Sequence, residues 1–286
     1  MTSLARPPFA LSAARQLAKQ AAHGRGGHTT TAINNNPALR YKTGGGMGPR
    51  YSTATSPSAK PLSLYTWRTP NGRKVSIFLE ELKAHYGLAY DVHPVDISTG
   101  AQKAPSFLRL NPNGRIPVLV DANRSSGSPG HAVFESGAIL LYLAQHYDTL
   151  RTFAADPQAD AETYSEVLQW LFFTHGGIGP MQGQAGHFVR AAPEDIPYAK
   201  KRYIDETKRL YGVLDVRLKD REWLTGPDKG TYSIADMNAL PWVTVHGFIE
   251  IETLDEWPNV KGLHCEQAWV ERAMERPAVK AGMQVP

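Results

Sequence analysis

Thr69-Pro70-Asn71-Gly72 ahead of a helical pattern, Asn111-Pro112-Asn113-Gly114-Arg115-Ile116-Pro117 ahead of a strand pattern, and Phe134-Glu135-Ser136-Gly137-Ala138-Ile139 between a strand and a helix each bring polar groups to a chain junction. At the first turn of a helix, backbone N–H groups lack partners and the macrodipole favours negative charge. Asn71, with Thr69 beside it, could therefore hold a thiolate: a free thiol titrates at about 8.5, and an amide donor at a helix N-terminus raises its ionised fraction without any general base. Ile116-Pro117 suits a cis peptide, because X–Pro bonds prefer trans only weakly. That geometry would turn the Ile116 N–H and C=O toward an extended peptide, as in strand addition. Glu135 can pair with an ammonium while the Ser136 hydroxyl and the N–H groups after it receive a carboxylate, which suits an α-amino acid head group. Taken singly, each segment also has an ordinary explanation: Thr69 as a cap followed by a turn, Pro117 as a trans residue opening a strand, Ser136 as an N-cap beside a solvated Glu135.

The elements that must position these residues follow from periodicity. Leu62 to Tyr65 alternates as a strand, Val75, Phe78, Leu79 and Leu82 recur at helical spacing, and Tyr90 to Val95 is strand-like again. A polar stretch from Ser98 to Lys103 precedes a short helical piece around Phe107 and Leu108. Pro117 to Val120 and Ala132 to Phe134 read as strands joined by the Ser- and Gly-rich loop Asn123 to Gly130, with a helix from Ser136 to His146 after them. The order β-α-β-α-β-β-α is that of a thioredoxin-like α/β domain. Beyond a connector from Asp148 to Pro157 the patterns turn helical, at Ala159 to His175, Ala199 to Lys219, Ser233 to Val245 and Val260 to Arg276. Ser233-Ile234-Ala235-Asp236 has the form of a capping box. The expectation is a leader over 1–60, a thioredoxin-like domain over 61–148 and an all-α helical bundle over 157–286.

Charge narrows the partner classes. The 286 residues carry a net +4 with a pI near 9.0, which invites a nucleic-acid reading. Yet residues 1–60 hold eight Lys or Arg and no acid, leaving 23 basic residues (31 less 8) against 27 acidic ones in the remainder. The body is mildly acidic, which argues against DNA or RNA binding, and no apolar run approaches the length of a membrane span. An acid-free leader with Leu4, Phe9, Leu11 and Leu17 among Arg6, Arg15 and Lys19 has the composition of a mitochondrial transit peptide, with Arg50-Tyr51-Ser52 as a cleavage-like site. A disordered tail on a cytoplasmic protein is the alternative. The single cysteine, Cys265, excludes an internal disulfide framework and paired-cysteine zinc sites, so the sulfur for any thiol chemistry would belong to a bound cofactor.

Residues 62 to 284 resemble the soluble glutathione transferases. Asn111 to Pro117 and Phe134 to Ile139 are similar to motifs of that superfamily's glutathione domain. Thr69-Pro70-Asn71-Gly72-Arg73-Lys74, Leu168 to Phe172, Gly176-Gly177-Ile178-Gly179-Pro180-Met181 and Tyr198 to Tyr211 resemble the nu-class bacterial enzymes and the fungal proteins allied to the yeast nitrogen-catabolite regulator. The resemblance implies glutathione as co-substrate and no metal. It places Asn71 at the glutathione sulfur with Thr69 assisting, Ile116 on the cysteinyl backbone, and Glu135 and Ser136 on the γ-glutamyl end. Gln102 and Arg115 would reach the rest of the tripeptide, and Arg202 would reach in from the helical domain. The Tyr, Ser or Cys that other transferases use is missing from its place, and Tyr65 reads as a strand residue.

The activity implied is reduction of small disulfides or peroxides by glutathione, with weaker conjugation to electrophiles, in a homodimer. The alternative from another class is a regulatory or binding protein that kept the fold without turnover. Other features carry less. Ten histidines show no His-Glu-x-x-His spacing, so His175, His187, His246 and His264 read as structural or surface residues. Trp170, Phe172 and Phe173 read as core, and Cys265 near Trp269 as a buried, inert thiol.

Overall fold

The computed structural model describes residues 60–124, 130–261 and 268–286. The leader up to residue 59, together with His264 and Cys265, lies outside the described residues, and so do the expectations made for them.

Four strands, β1 (Leu62–Thr66), β2 (Tyr90–Pro94), β3 (Val118–Asp121) and β4 (His131–Phe134), form one mixed sheet in the order β2-β1-β3-β4. β1 runs parallel to β2 and antiparallel to β3, and β4 is antiparallel to β3. α1 (Pro70–Tyr86) makes the crossover between the parallel pair. Alternation sends Leu62, Leu64 and Leu119 to the face covered by α1 and α3 (Ser136–His146), while Val118 and Val120 pack with Phe107 on the other. Phe107 belongs to α2 (Pro105–Leu108), which follows two short 3₁₀ turns at Ile97–Thr99 and Ala101–Lys103. β3 is buried at all four positions, which is why it reads as a continuous apolar run.

The helical part begins after a connector organised by buried Asp148, which accepts from the Tyr86 hydroxyl at 2.6 Å and from the N–H groups of Thr152 and Phe153. α4 (Ala161–Phe173), capped by Asp160, runs without a break through a π-helical turn at Thr174–Ile178 into α5 (Gly179–Arg190). Sequence periodicity does not reveal α5, since Gly176, Gly177, Gly179 and Pro180 read as breakers. The glycines are instead close-approach points: a Cβ at Gly177 would stand 3.2 Å from Leu210 of α6 (Pro197–Leu218). Phe172 corrects the expectation of a core residue. Val167 and Leu171 take the inner face of α4, leaving Phe172 68% exposed, while Trp170 and Phe173 are half-buried against one another.

α7 (Ile234–Val243) opens on the capping box expected at Ser233 and Asp236. The single helix expected from Val260 to Arg276 is divided: α8 (Pro258–Lys261) and α9 (Trp269–Glu275) are separate, and α10 (Pro277–Gly282) follows. Pro277 explains the second break, because its ring disfavours helical ψ at Arg276, which sits at ψ 127°. α1 is covered by the sheet, α7 and α10, so nine of its residues are buried, including Lys74 and Glu81. No described helix is long and apolar enough to cross a membrane.

Candidate active site

Thr69, Asn71, Ile97, Gln102, Lys103, Arg115 and Ile116 line one cavity of about 320 Å³ beside the N-terminus of α1. Five of these are residues the sequence singles out. The Thr69 hydroxyl accepts from the Gly72 N–H at 3.2 Å, so it does cap α1. Gly72 tolerates no side chain, since a Cβ there would lie 2.4 Å from the Thr66 hydroxyl and 2.5 Å from the Trp67 carbonyl. The first turn therefore sits tight against β1, with Asn71 at the cavity. The Asn71 Oδ1 accepts from the indole N–H of Trp242 at 3.1 Å. An indole nitrogen can only donate, so this bond fixes the amide with its NH₂ on the other side.

The opposite wall is the turn before β3. Buried Asn111 donates to the Arg115 carbonyl at 2.7 Å and accepts from the Asn113 N–H at 2.9 Å, while Gly114 takes φ 60° against Lys103 and Leu108. The motif is thus a stapled turn that delivers Arg115 and Ile116. The Ile116-Pro117 bond is cis. Gln102 donates to the Ile97 carbonyl, and its buried Oε1 has no protein partner. Tyr65 is not part of this wall; it stacks on His93 at 4.6 Å between ring centroids.

Glu135 and Ser136 stand at the start of α3 and do not line the cavity. Here the capping explanation of Ser136 fails. Glu135 occupies the cap position at φ 70°, without a side-chain capping bond, and the Ser136 hydroxyl is buried with no partner. A non-glycine residue in that strained region, next to an orphaned hydroxyl, is the pattern of a ligand-holding junction. Two further groups converge on it. His175, presented by the π-helical turn, brings Nε2 to 3.2 Å from the Glu135 carboxylate. Lys74, one turn along α1 from Asn71 and 1% exposed, is pushed down to about 7 by burial, with the Glu135 charge acting in the opposite sense. The site thus offers an amide donor and main chain at one end and a carboxylate, a buried amine, an imidazole and a vacant hydroxyl at the other.

Arg202 is not brought to either half. It is exposed on α6, where Met181, Tyr198, Tyr203 and Glu206 share with it a second depression of about 610 Å³. Sequence reasoning missed Trp242, Lys74 and His175. Trp242 lies in an apolar helix that reads simply as core, Lys74 in a Lys/Arg pair that reads as solvated, and His175 is aimed by a π-helical turn that has no periodicity signature. Among the described residues no group of three or more His, Cys, Asp or Glu side chains is placed to share a metal ion.

Comparison with known proteins shows the family of the chain. Residues 60–145 match the family model described as the glutathione S-transferase N-terminal domain, and residues 180–277 the one described as its C-terminal domain. The chain is 43% identical over 217 residues to the disulfide-bond oxidoreductase YfcG of Escherichia coli (strain K12), covering 76% of this chain and 92% of that one. It is 34% identical over 256 residues to the protein URE2 of Saccharomyces bayanus, covering 77% and 69%. The crystal structure of a glutathione transferase homolog from Lodderomyces elongisporus, with two GSH per subunit, superposes with a TM-score of 0.71 at 40% identity, covering 79% of this chain and 99% of that one.

Proposed function

Since the chain belongs to the glutathione S-transferase family, we propose that it binds glutathione along the cleft from Asn71 to Ser136 and uses the activated thiol to reduce small disulfides or peroxides. The observation that carries this reading is the fixed Asn71 amide, its NH₂ turned from Trp242 at the first turn of α1. A sulfur placed there meets an amide donor and the positive end of a helix, and both favour thiolate. Thr69 assists by holding that turn closed. Ile116, whose N–H and C=O have no partner among the described residues, pairs with the cysteinyl main chain. Ser136 takes the γ-glutamyl carboxylate on its vacant hydroxyl, and Glu135 takes the ammonium. Gln102 and Arg115 serve the remainder of the tripeptide. Arg202 contributes only if its long side chain swings in from α6.

The chemistry is thiol–disulfide exchange. The bound thiolate attacks one sulfur of the substrate disulfide, forming a mixed disulfide and expelling the other sulfur as thiolate, and a second glutathione resolves the product as glutathione disulfide. Both reducing sulfurs come from glutathione. The names of two relatives support the reading: one is a disulfide-bond oxidoreductase, and the other was crystallised with two GSH per subunit. Conjugation to electrophiles is the lesser activity in this proposal. A homodimer and mitochondrial import of the full chain belong to it as well, tested by solution mass and by the location and cleavage of a tagged chain.

The test is turnover by the purified full chain with glutathione and, in turn, a small disulfide, an organic peroxide and a chlorinated aromatic electrophile. The disulfide or the peroxide should be consumed fastest. Glutathione binding without turnover of any of the three would identify a regulatory binding protein, a class that similarity to URE2 keeps in view. Failure to bind glutathione at all would remove the site assignment.

A further inference from the structure

We propose that Trp242 is a positioning residue for the thiol site, acting through its indole N–H on the Asn71 amide, an inference that rests on the function proposed above. A side-chain amide can present either end to a sulfur, and the two ends act oppositely. The NH₂ stabilises a thiolate by donating to it, whereas the carbonyl oxygen repels it. Nothing on α1 selects between them. Thr69 is occupied by the Gly72 N–H, and among the described residues the Asn71 side chain has one hydrogen-bond partner, Trp242 Nε1 at 3.1 Å. The choice is therefore made from the helical domain, by a residue 171 positions further along the chain.

The indole is itself held. α5 offers a glycine floor: Cβ atoms at Gly179 and Gly183, one helical turn apart, would stand 3.1 Å from Trp242 Nε1 and 3.6 Å from its Cη2. Gln182 between them donates to the Trp242 carbonyl at 2.8 Å and accepts from the buried Tyr211 hydroxyl at 2.8 Å. A relay thus runs from Tyr211 through Gln182 and Trp242 to Asn71. It gives the Gly176 to Met181 segment a physical purpose beyond tight helix packing, because a methyl group at Gly179 would press on the indole nitrogen that orients the amide.

The experiment compares wild type, Trp242→Phe, Asn71→Ala and the double variant, with bound glutathione followed by thiolate ultraviolet absorbance and turnover followed across pH. If Trp242 acts through Asn71, Trp242→Phe lowers the bound thiolate signal and, at saturating glutathione, moves the alkaline-rising limb of kcat/KM for the disulfide upward by about one pH unit, a loss that reaches about tenfold on the acid side of that limb. The KM for glutathione changes less than twofold, roughly the scatter of a neutral change. In the Asn71→Ala background the same substitution adds nothing further, the signature of two residues acting as one unit. If Phe leaves a gap that unfolds the protein, benzothienylalanine at 242, which keeps the indole shape and lacks only the N–H, reproduces the shift. An unchanged thiolate signal in that isostere, or effects that simply add in the double variant, overturns the proposal while the wild-type signal keeps the thiol site standing. Absence of a thiolate signal from the wild type overturns both.

Discussion

Asn71 and Lys74 are separated by one turn of α1; Asn71 lines the cavity, and Lys74 is buried within reach of the Glu135 charge. Lys74 makes a testable contribution to stability. Burial holds its amine at about 7 in the folded chain, whereas an unfolded lysine titrates at about 10.4. Between those values the unfolded state binds a proton that the folded state does not, so this group makes stability rise with pH across that window. Lys74→Met removes the buried amine. The variant should be more stable than wild type by on the order of a few kcal/mol at pH 7 and below, with the difference shrinking toward pH 10. Denaturant melts at pH 6, 8 and 10 check it, and a difference independent of pH would assign no linkage to Lys74. The residue types at this scale were legible in the sequence for Thr69, Asn71, Ile116, Glu135 and Ser136, because chain junctions expose backbone polarity that only certain side chains can exploit. Lys74 and His175 were not, since what matters about them is their surroundings.

At the scale of elements, the start of α7 concentrates much of the helical domain's polar order. Asp236 is fully buried and accepts from the N–H groups of Ser233 and Leu224 and from the Trp269 indole, all within 3.0 Å. Burial pushes its carboxyl up to about 6, while those bonds pull it back. Asp236→Ala should cost about 3 kcal/mol, combining loss of the capping box with three orphaned buried donors. The midpoint of urea unfolding should fall with an unchanged m-value, and a loss under about 0.5 kcal/mol would mean that water replaces the carboxylate. The capping box itself was readable, because it is a local pattern of four residues. The π-helical turn and α5 were not. Their glycines answer to Leu210 and Trp242 on other helices, and a single segment read alone offers only their poor helix propensity.

Across the whole molecule, α1 is the common member, carrying Asn71 at the cavity while being pressed by α10 from behind. The Ser76 hydroxyl donates to the Gly282 carbonyl at 2.7 Å, and a Cβ at Gly282 would fall 2.4 Å from the Ile77 Cα. Arg276, placed over the Tyr232 ring, ties the same region to buried Glu81 through two bonds at 2.7 and 3.0 Å. Gly282→Ala must therefore displace backbone rather than a side-chain tip, and should lower stability by about 2 kcal/mol or more. It should also reduce glutathione turnover, although Gly282 is not among the residues lining the cavity. Turnover that survives an equal loss of stability would show that α1 is insulated from its C-terminal brace. The sequence by itself determined the strand and helix order through β4 and α3, the thioredoxin-like and helical division, and the junctions where the candidate site residues stand, because periodicity, caps and turns are written in neighbouring residues. Only the tertiary structure decided which way the Asn71 amide faces, that the Ser136 hydroxyl is left vacant, and that Lys74 is buried within reach of the Glu135 charge. Each of these depends on a group far away along the chain, and contact between distant residues is a property of packing that no local pattern encodes.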